Sequence, residues 1–260
     1  MEKKYILTDD VIDFNSHTLH RIKAVRDFDC VKAGDLGGFI ESEKNLDHDG
    51  DAWVFGDAWV FGDAWVSGAA HVTGDAWVLD NAKVSGDAHV TGAAHVTGAA
   101  HVTGDAWVSG NAVVSDSAVV SGAAHVTGAA HVTGAAHVTD ATHVTDDAHV
   151  TGAAHVTGDA WVSGNAVVTG AAWVSGDAWV TGAAWVSGNA DFAVISGFGR
   201  AFRTTTFFRC KNNLVRCKCG CFYGTVDEFR SKVRETHGNS KYAKEYLMIA
   251  DLMELHFKED

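Results

Sequence analysis

Residues 123–140 read AAHVTGAAHVTGAAHVTD, and this six-residue pattern decides the fold of the chain. From Asp51 to Val194 the pattern runs through 24 consecutive hexads without an insertion. The second residue of a hexad is Ala in 23 of them, and the fourth is Val in 23. A short period kept this strictly over more than half of a chain is typical of a solenoid.

The Ala and Val of one hexad are two residues apart, so on a strand their side chains point to the same side. Both are small enough to line a narrow prism. The third residue is Trp or His in 19 hexads and is too large for such an interior. The sixth residue is Gly in 19 hexads, which suits a corner with positive φ. We therefore expect Ala and Val inside, with Trp, His, Ser and Thr on the outer faces.

The hexad resembles the hexapeptide repeat of left-handed β-helix proteins, in which three hexads make one triangular coil. The resemblance implies a mainly β fold, a single-stranded left-handed parallel β-helix of about eight coils. At a strand spacing of ~4.8 Å the prism would be about 38 Å long. We assign residues 1–50 to a β-rich N-terminal cap and first coil and residues 51–200 to the β-helix. Residues 201–260 are assigned to a small α+β module, a β-hairpin followed by two helices.

Residues 18 apart are expected to stack on one outer face, so the third hexad position forms three ladders. All nine Trp and ten of the 15 His occupy this position, beside a column of Ser or Thr. Three interpretations are open: ladders that only stabilise the sheets, an interaction surface, and metal binding by stacked His. The candidates for a binding surface are Trp53, Trp59, Trp65, Trp77, Trp161, Trp173, Trp179, Trp185, His125, His131, His137, His143, His149 and His155.

The segments that flank the array carry their own signals. Apolar alternation in residues 4–7 and 20–25 predicts strands, and the KAGDLGG segment at 32–38 predicts a tight turn into the array. Near the other end, residues 211–213 are expected to turn a hairpin. A capping box at Thr225 and Glu228 predicts a helix to about residue 236. A second helix is expected from about residue 240 to 256, with one apolar stripe formed by Tyr242, Tyr246, Ile249, Met253 and Phe257.

Four cysteines, Cys210, Cys217, Cys219 and Cys221, lie in one short stretch. On an extended strand the last three would share one face. A zinc site built from these thiols, or with His237 in place of one, is one interpretation. Reduced thiols that pack the hairpin against the helices are the other, because the spacing is not the CxxC of zinc knuckles. No other cofactor and no catalytic residue is predicted.

The charge of the chain is concentrated in the array. The net charge is −13, and residues 51–194 contain 14 Asp and one Lys. An acidic rod does not bind nucleic acid by counterion release, although it could imitate nucleic acid toward a basic protein. No apolar run approaches the roughly 18 residues that span a bilayer, and residues 1–4 lack an apolar signal core. We expect a cytoplasmic protein with no membrane partner and no direct nucleic-acid partner.

The flanking segments also resemble a known group. The KAGDLGG segment, together with CGCFYGTVDEF at 219–229 and THGNSKYAKEY at 236–246, resembles hexapeptide-repeat proteins encoded by bacteriophages and prophages. This resemblance implies a context, the cytoplasm of a bacterial host, and no particular reaction.

These observations favour one class of function and leave two alternatives. We expect a non-enzymatic scaffold that presents Trp, His and Thr ladders and a helical end module to a host protein or small ligand. The β-helix resemblance implies a homo-oligomer, with a trimer favoured. One alternative is an acidic nucleic-acid mimic that inhibits a host defence or DNA enzyme. The other is a CoA-dependent acyltransferase of the hexapeptide-repeat class, but no loop interrupts the hexads and no His is set apart as a general base.

Overall fold

An N-terminal antiparallel hairpin precedes the hexads in the computed structural model, which describes residues 2–258. Its strands are β1 (Tyr5–Phe14) and β2 (His17–Ala24), and a third strand, β3 (Leu36–Ile40), follows along the chain. The β1–β2 turn uses Asn15 and Ser16, which both have positive φ, as turn residues of this type can. The hairpin is therefore a strand-built cap, as the sequence predicts.

The hexads form 23 two-residue strands, numbered β4 to β26 in chain order, which lie in three parallel sheets. One sheet contains Trp53–Val54, His71–Val72, His89–Val90, Trp107–Val108, His125–Val126, His143–Val144, Trp161–Val162 and Trp179–Val180. A second contains Trp59–Val60, Trp77–Val78, His95–Val96, Val113–Val114, His131–Val132, His149–Val150, Val167–Val168 and Trp185–Val186. The third contains Trp65–Val66, Lys83–Val84, His101–Val102, Val119–Val120, His137–Val138, His155–Val156 and Trp173–Val174.

Each residue of a coil pairs with the residue 18 positions later. The amide of His137 donates to the carbonyl of Ala154 at 2.9 Å, and the amide of Thr139 donates to the carbonyl of Val156 at 3.0 Å. The Ala and Val side chains of the repeats are buried along the whole prism. The predicted β-solenoid of about eight coils, with Ala and Val inside, is confirmed.

Thr142 is the one exception to Ala at the second hexad position, and it is also fully buried. Its hydroxyl donates a 2.8 Å hydrogen bond to the carbonyl of Thr139, three residues earlier. A buried hydroxyl without a partner is costly, so this local bond explains how the prism accepts the polar atom.

The corners explain the four Asp residues at the sixth hexad position. Each has positive φ, between 59° and 63°, where Gly stands in most hexads. A carboxylate oxygen of each Asp accepts a hydrogen bond of 3.0 to 3.1 Å from the amide of the Gly in the next coil. The bond offsets part of the cost of a β-carbon in this conformation. The four pairs are Asp80 with Gly98, Asp116 with Gly134, Asp140 with Gly158 and Asp146 with Gly164.

Strand β3 joins the cap to the solenoid, since it pairs antiparallel with β2 and parallel with Trp59–Val60. Gly37 and Gly38 lie buried inside β3, where a β-carbon on Gly37 would overlap the carbonyl oxygen of Val54. The tight turn predicted over residues 32–38 is therefore confined to its first half, around Gly34 at φ +100°. Gly37 and Gly38 permit close packing of β3 on the first coil.

Lys4 closes the first coil from within the cap. Its ammonium group is fully buried and donates to the carbonyl of Ala52 at 2.8 Å. Burial lowers the pKa of Lys4 to about 8, against the opposing effect of Asp47 and its acidic neighbours. The carbonyl of Ala52, which elsewhere in the array would accept from an amide of the preceding coil, thus has a partner at the start of the array.

The C-terminal module is an antiparallel sheet packed on two helices. Its elements are β27 (Phe192–Ile195), β28 (Thr205–Arg209), β29 (Val215–Cys219), β30 (Phe222–Thr225), α1 (Val226–His237) and α2 (Lys241–His256). The predicted hairpin, capping box and helices are present, and four of the five stripe residues on α2 are buried, with Tyr242 at the surface. Among residues 2–258, both α-helices fall short of the length and apolar content that a bilayer-crossing helix needs.

The twenty-fourth hexad, residues 189–194, leaves the solenoid. Residues 189–191 form a 3-10 turn, and Phe192 begins β27 of the C-terminal sheet. Phe192 stands where every other hexad has Val, and its ring is too large for the prism. Asp191 occupies the outward third position of this hexad, where most hexads have Trp or His, and forms a salt bridge with Arg209 at 3.1 Å. The change of two side chains thus coincides with the end of the coils.

Deleting one whole coil, residues 123–140, should leave a folded protein. Solenoid stability is close to additive, so about one-eighth of the array's contribution is lost. Circular dichroism and urea unfolding measure the outcome. The matched control is a deletion of residues 123–139, which places His143 and later outward residues at interior positions and should prevent folding. Equal folding of both deletion proteins would contradict the 18-residue register.

Substitutions at Asp140 should separate its hydrogen bond from its conformation. Asp140→Ala should lower the free energy of unfolding by about 1–2 kcal/mol, because the bond is lost and a β-carbon stays at positive φ. Asp140→Gly should change it by less than about 0.5 kcal/mol, since the relief of strain offsets the lost bond. Urea unfolding of both variants tests this, and a more stable Ala variant than Gly variant would refute it.

Candidate functional site

The third hexad position forms three ladders on the outside of the solenoid, made mostly of rings and interrupted by Val or Lys in two of the three sheets. Trp59 and Trp77 stack with ring centroids 5.0 Å apart and planes within 6°. His143 and Trp161 stack at 4.6 Å and 7°. Ring stacking between successive coils therefore adds side-chain contacts to the backbone ladder, as cross-strand pairs do in other sheets.

The predicted binding candidates are not equally accessible. Trp53 is only 1% exposed, because Tyr5 and Phe28 of the cap pack edge-on against its indole. It belongs to the core beneath the cap and is no surface residue. Trp59, Trp77, Trp161 and all six His candidates are half-buried within their ladders, and Trp65 is exposed.

The last coil presents one exposed indole on each face. Trp173 is 53% exposed, Trp179 43% and Trp185 38%. Lys218 lies over the ring of Trp179, and Lys211 lies over that of Trp185, at 5.2 and 5.5 Å from the ring centroids. The C-terminal end of the array therefore combines exposed aromatic area with nearby positive charge.

Hydroxyl groups run beside the rings at the fifth hexad position. Thr151 donates to Thr169 at 3.0 Å, and Ser163 donates to Thr181 at 3.0 Å, each across one coil. Indole, imidazole and hydroxyl columns therefore lie parallel, and the faces present a regular mixture of apolar and polar groups.

Burial and an edge-to-face neighbouring imidazole lower the pKa of the ladder His at two positions. Burial lowers the pKa of His125, and the adjacent His143, 4.9 Å away between ring centroids, lowers it further. Burial also lowers the pKa of His71. The neighbouring His89 lowers it further, and the carboxylate of Asp29 acts in the opposite direction. Both rings are therefore harder to protonate than a free imidazole.

The four C-terminal cysteines are distributed over both sides of the module. Cys210 packs with the core of the solenoid, whereas Cys217 is buried against the helices, where burial raises the pKa of its thiol. Cys219 is half-buried, and Cys221 is exposed in the turn after β29 and does not continue that strand. Within residues 2–258 no three His, Cys, Asp or Glu side chains come together as metal ligands do. The arrangement favours thiols in separate packing roles.

A cavity of about 480 Å³ lies between the C-terminal sheet and helix α1. Sequence reasoning missed it, because two of its three charged side chains, Arg200 and Arg203, lie in the aperiodic loop between β27 and β28. The signal that could have found it is the GFGRAFR segment at 197–203, which alternates small residues with aromatic and basic ones. The cavity is lined by Arg200, Ala201, Arg203, Cys219, Cys221, Phe222, Phe229, Lys232, Val233, Thr236, His237 and Tyr246.

Two segments of the array, residues 106–122 and 160–176, match the family model of the YdcK β-solenoid repeat. Each segment is about as long as one coil. The matches and the parallel sheets agree on a β-helix repeat protein. No curated protein matches the chain at a significant level.

Acidification should destabilise the protein through the edge-to-face pair of His125 and His143. The pKa of His125 is lower in the folded chain than its unfolded value of about 6.5, so the folded state binds fewer protons. The stabilisation is complete above about pH 6.5 and is lost as the pH falls through that value toward the folded pKa. Urea midpoints at pH 8 and pH 5.5 measure the loss.

His125→Gln should reduce this dependence on pH, whereas the control Val113→Gln, at the same hexad position without an imidazole, should retain it. The other ionisable groups of the array are common to all three proteins, so the comparison isolates the imidazole of His125. An unchanged pH dependence in the His125→Gln protein would show that burial and the His143 contact do not oppose protonation of His125.

Proposed function

We propose that the protein is a non-enzymatic binding scaffold whose rigid solenoid presents the exposed indoles of its last coil to a partner protein. The carrying observation is the exposure of Trp173, Trp179 and Trp185, one on each face. Trp is enriched at the centre of protein interfaces, where burial of its large ring contributes most of the binding energy. Three exposed indoles in one coil are costly to hold in water and are well suited to that role.

The rigidity of the array supports a scaffold. Successive coils are joined by backbone hydrogen bonds of about 2.9 Å at the third and fifth positions of nearly every hexad. The cap and the C-terminal module are therefore held at a separation and rotation set by the number of hexads. A partner that contacts the last coil meets a surface that is already ordered, so little conformational entropy is lost on binding.

A non-enzymatic role is supported by the equivalence of the ladder positions. The ten ladder His occupy one hexad position, with Trp, His, Val or Lys as neighbours in the coils above and below. A general base needs an environment that differs from those of the neighbouring side chains, because the environment tunes its pKa. In acyltransferases of the hexapeptide-repeat class, a loop that interrupts the coils usually provides this environment. The hexads run without such a loop.

We place the scaffold in a bacteriophage context, in the cytoplasm of a bacterial host, and as a homo-oligomer, with a trimer favoured. The likeness of the flanking segments to phage-encoded repeat proteins supports the context, and the hexapeptide-repeat character supports the trimer. The partner is then a host protein, and self-association through the same indoles is the competing outcome.

An acidic mimic of nucleic acid is a second candidate, and the arrangement of the corners favours it. One corner line carries five exposed carboxylates, among them pairs in adjacent coils. A row of negative charge on a rigid rod could occupy the basic groove of a DNA enzyme. The five residues are Asp51, Asp87, Asp105, Asp159 and Asp177.

Photo-crosslinking tests the scaffold proposal. With p-benzoylphenylalanine at position 173, the protein should form one discrete adduct in host cells, because the side chain lies in the proposed interface. The matched control is the same group at Lys83, an exposed position on the same ladder. Peptide mass spectrometry then identifies the adduct as a host protein or a second copy.

Alanine at Trp173, Trp179 and Trp185 together should weaken binding to the identified partner at least tenfold, a typical loss for central aromatic residues. Adducts that form equally at positions 83 and 173, or at neither, would refute the proposal. Binding that survives the triple variant but disappears at high salt would instead favour the acidic mimic. Transfer of acetyl groups from acetyl-CoA by the intact protein would favour the acyltransferase.

A further inference from the structure

We propose that the cavity of the C-terminal module binds a small organic anion with an apolar body, an aryl or acyl group that carries a carboxylate or phosphate. The site is separate from the exposed indoles and does not depend on the proposed scaffold function. It is formed by the 196–204 loop, the β29–β30 turn, helix α1 and Tyr246 of α2.

The apolar body is expected to lie against a continuous aromatic wall. Phe222 and Phe229 are in ring contact at 5.6 Å, and Phe229 contacts Tyr246 at 5.7 Å. His237 stacks on Tyr246 at 5.8 Å with an interplanar angle of 29°. Val233, nearly fully buried on α1, completes the wall. A volume of about 480 Å³ is that of a site for a small molecule and not for a peptide chain.

The charge of the lining is one-sided. Arg200, Arg203, Lys232 and His237 line the cavity, and no Asp or Glu does. Of these groups, Lys232 has an acidic partner, Glu235, at 3.0 Å on the exposed side of α1. The cavity therefore offers guanidinium groups that a carboxylate or phosphate can engage with paired hydrogen bonds.

The two arginines have no competing anion within the protein. Across residues 2–258, neither Arg200 nor Arg203 forms a salt bridge or a side-chain hydrogen bond. Glu245, a carboxylate that acts electrostatically on Tyr246 of the lining, is engaged elsewhere. It accepts a hydrogen bond from the amide of Gly199 at 3.0 Å and forms an ion pair with Lys241 at 3.5 Å. An anionic ligand would thus gain new ion pairs and break none.

Two glycines make room for the groups that shape the cavity. A β-carbon at Gly199 would overlap the hydroxyl of Tyr246, and one at Gly220 would overlap the guanidinium of Arg203. Both glycines have positive φ, so other residues are disfavoured there for two reasons. Burial, with a contribution from Cys219, raises the pKa of Tyr246 to about 12, so its hydroxyl stays protonated beside the ligand and adds no negative charge.

The probe for the experiment is 1-naphthyl phosphate, with 1-naphthoate as the carboxylate probe and 1-naphthol as the uncharged control. Calorimetry on the full-length protein should show one anion bound per chain, at least tenfold tighter than 1-naphthol. Arg203→Ala should lower the affinity for the anion at least tenfold. Arg234→Ala, an exposed arginine on the same helix as Lys232 but outside the lining, should leave affinity unchanged.

Alkylation of the native thiols gives a second readout that needs no variant. Cys221 lines the cavity and is exposed, whereas Cys30 is exposed on the cap far along the chain. Bound 1-naphthyl phosphate should slow the reaction of Cys221 with iodoacetamide at least threefold and leave Cys30 unchanged. If Arg203→Ala fails to fold by circular dichroism, Arg200→Ala and this protection assay provide the test.

Comparison of 1-naphthyl phosphate with 1-naphthoate shows whether the site prefers a phosphate or a carboxylate. Binding of either anion at least tenfold tighter than 1-naphthol supports the site. Equal affinity for the anions and 1-naphthol would overturn the proposal, as would equal losses in the Arg203→Ala and Arg234→Ala proteins. Cys221 that reacts at the same rate with and without the probe would also overturn it. Crosslinking at position 173 does not depend on these results, so a failure here is distinguishable from a failure of the scaffold proposal.

Discussion

The narrow interior of the prism is the constraint on which the rest of the structure depends. Three strands meet around a space that Ala and Val fill completely, and each coil must repeat those side chains at the same height as its neighbours. Only then do the amides of one coil meet the carbonyls of the next, as His137 and Ala154 do. Packing and backbone hydrogen bonding thus require the same 18-residue register.

This constraint assigns the hexad positions to different tasks. The second and fourth positions are restricted by volume, and the sixth by the positive φ of the corner. The third and fifth positions face outward and can vary without affecting the prism, which is why Trp, His, Val and Lys all occur at the third. Function in this protein is therefore expected on the ladders or at the ends, where the repeat stops. The exposed indoles of the last coil and the cationic cavity beyond it both lie in that region.

Regular features were predictable from sequence, and features that depend on contacts between segments were not. The hexad period alone predicts the coils, the interior and the ladders. Burial of Trp53 depends on Tyr5 and Phe28 of the cap, which no periodicity relates to it. The cavity depends on how the loop carrying Arg200 and Arg203 meets the helices, and that loop has no pattern. Phe192 breaks the Val pattern in the hexad where the coils end, and the volume of its ring explains why they end there.

The 18-residue register is tested most directly by engineered cysteine pairs at the outward fifth position. Thr133 and Thr151 directly follow two neighbouring strands of one sheet, His131–Val132 and His149–Val150, and are within the separation that a disulfide spans. Oxidation of the Thr133→Cys, Thr151→Cys protein should give this bridge, located by peptide mass spectrometry among the native thiols. The Thr133→Cys, Thr145→Cys pair, 12 residues apart and on different faces, should remain reduced. A bridge in the second pair and none in the first would contradict the three-hexad coil.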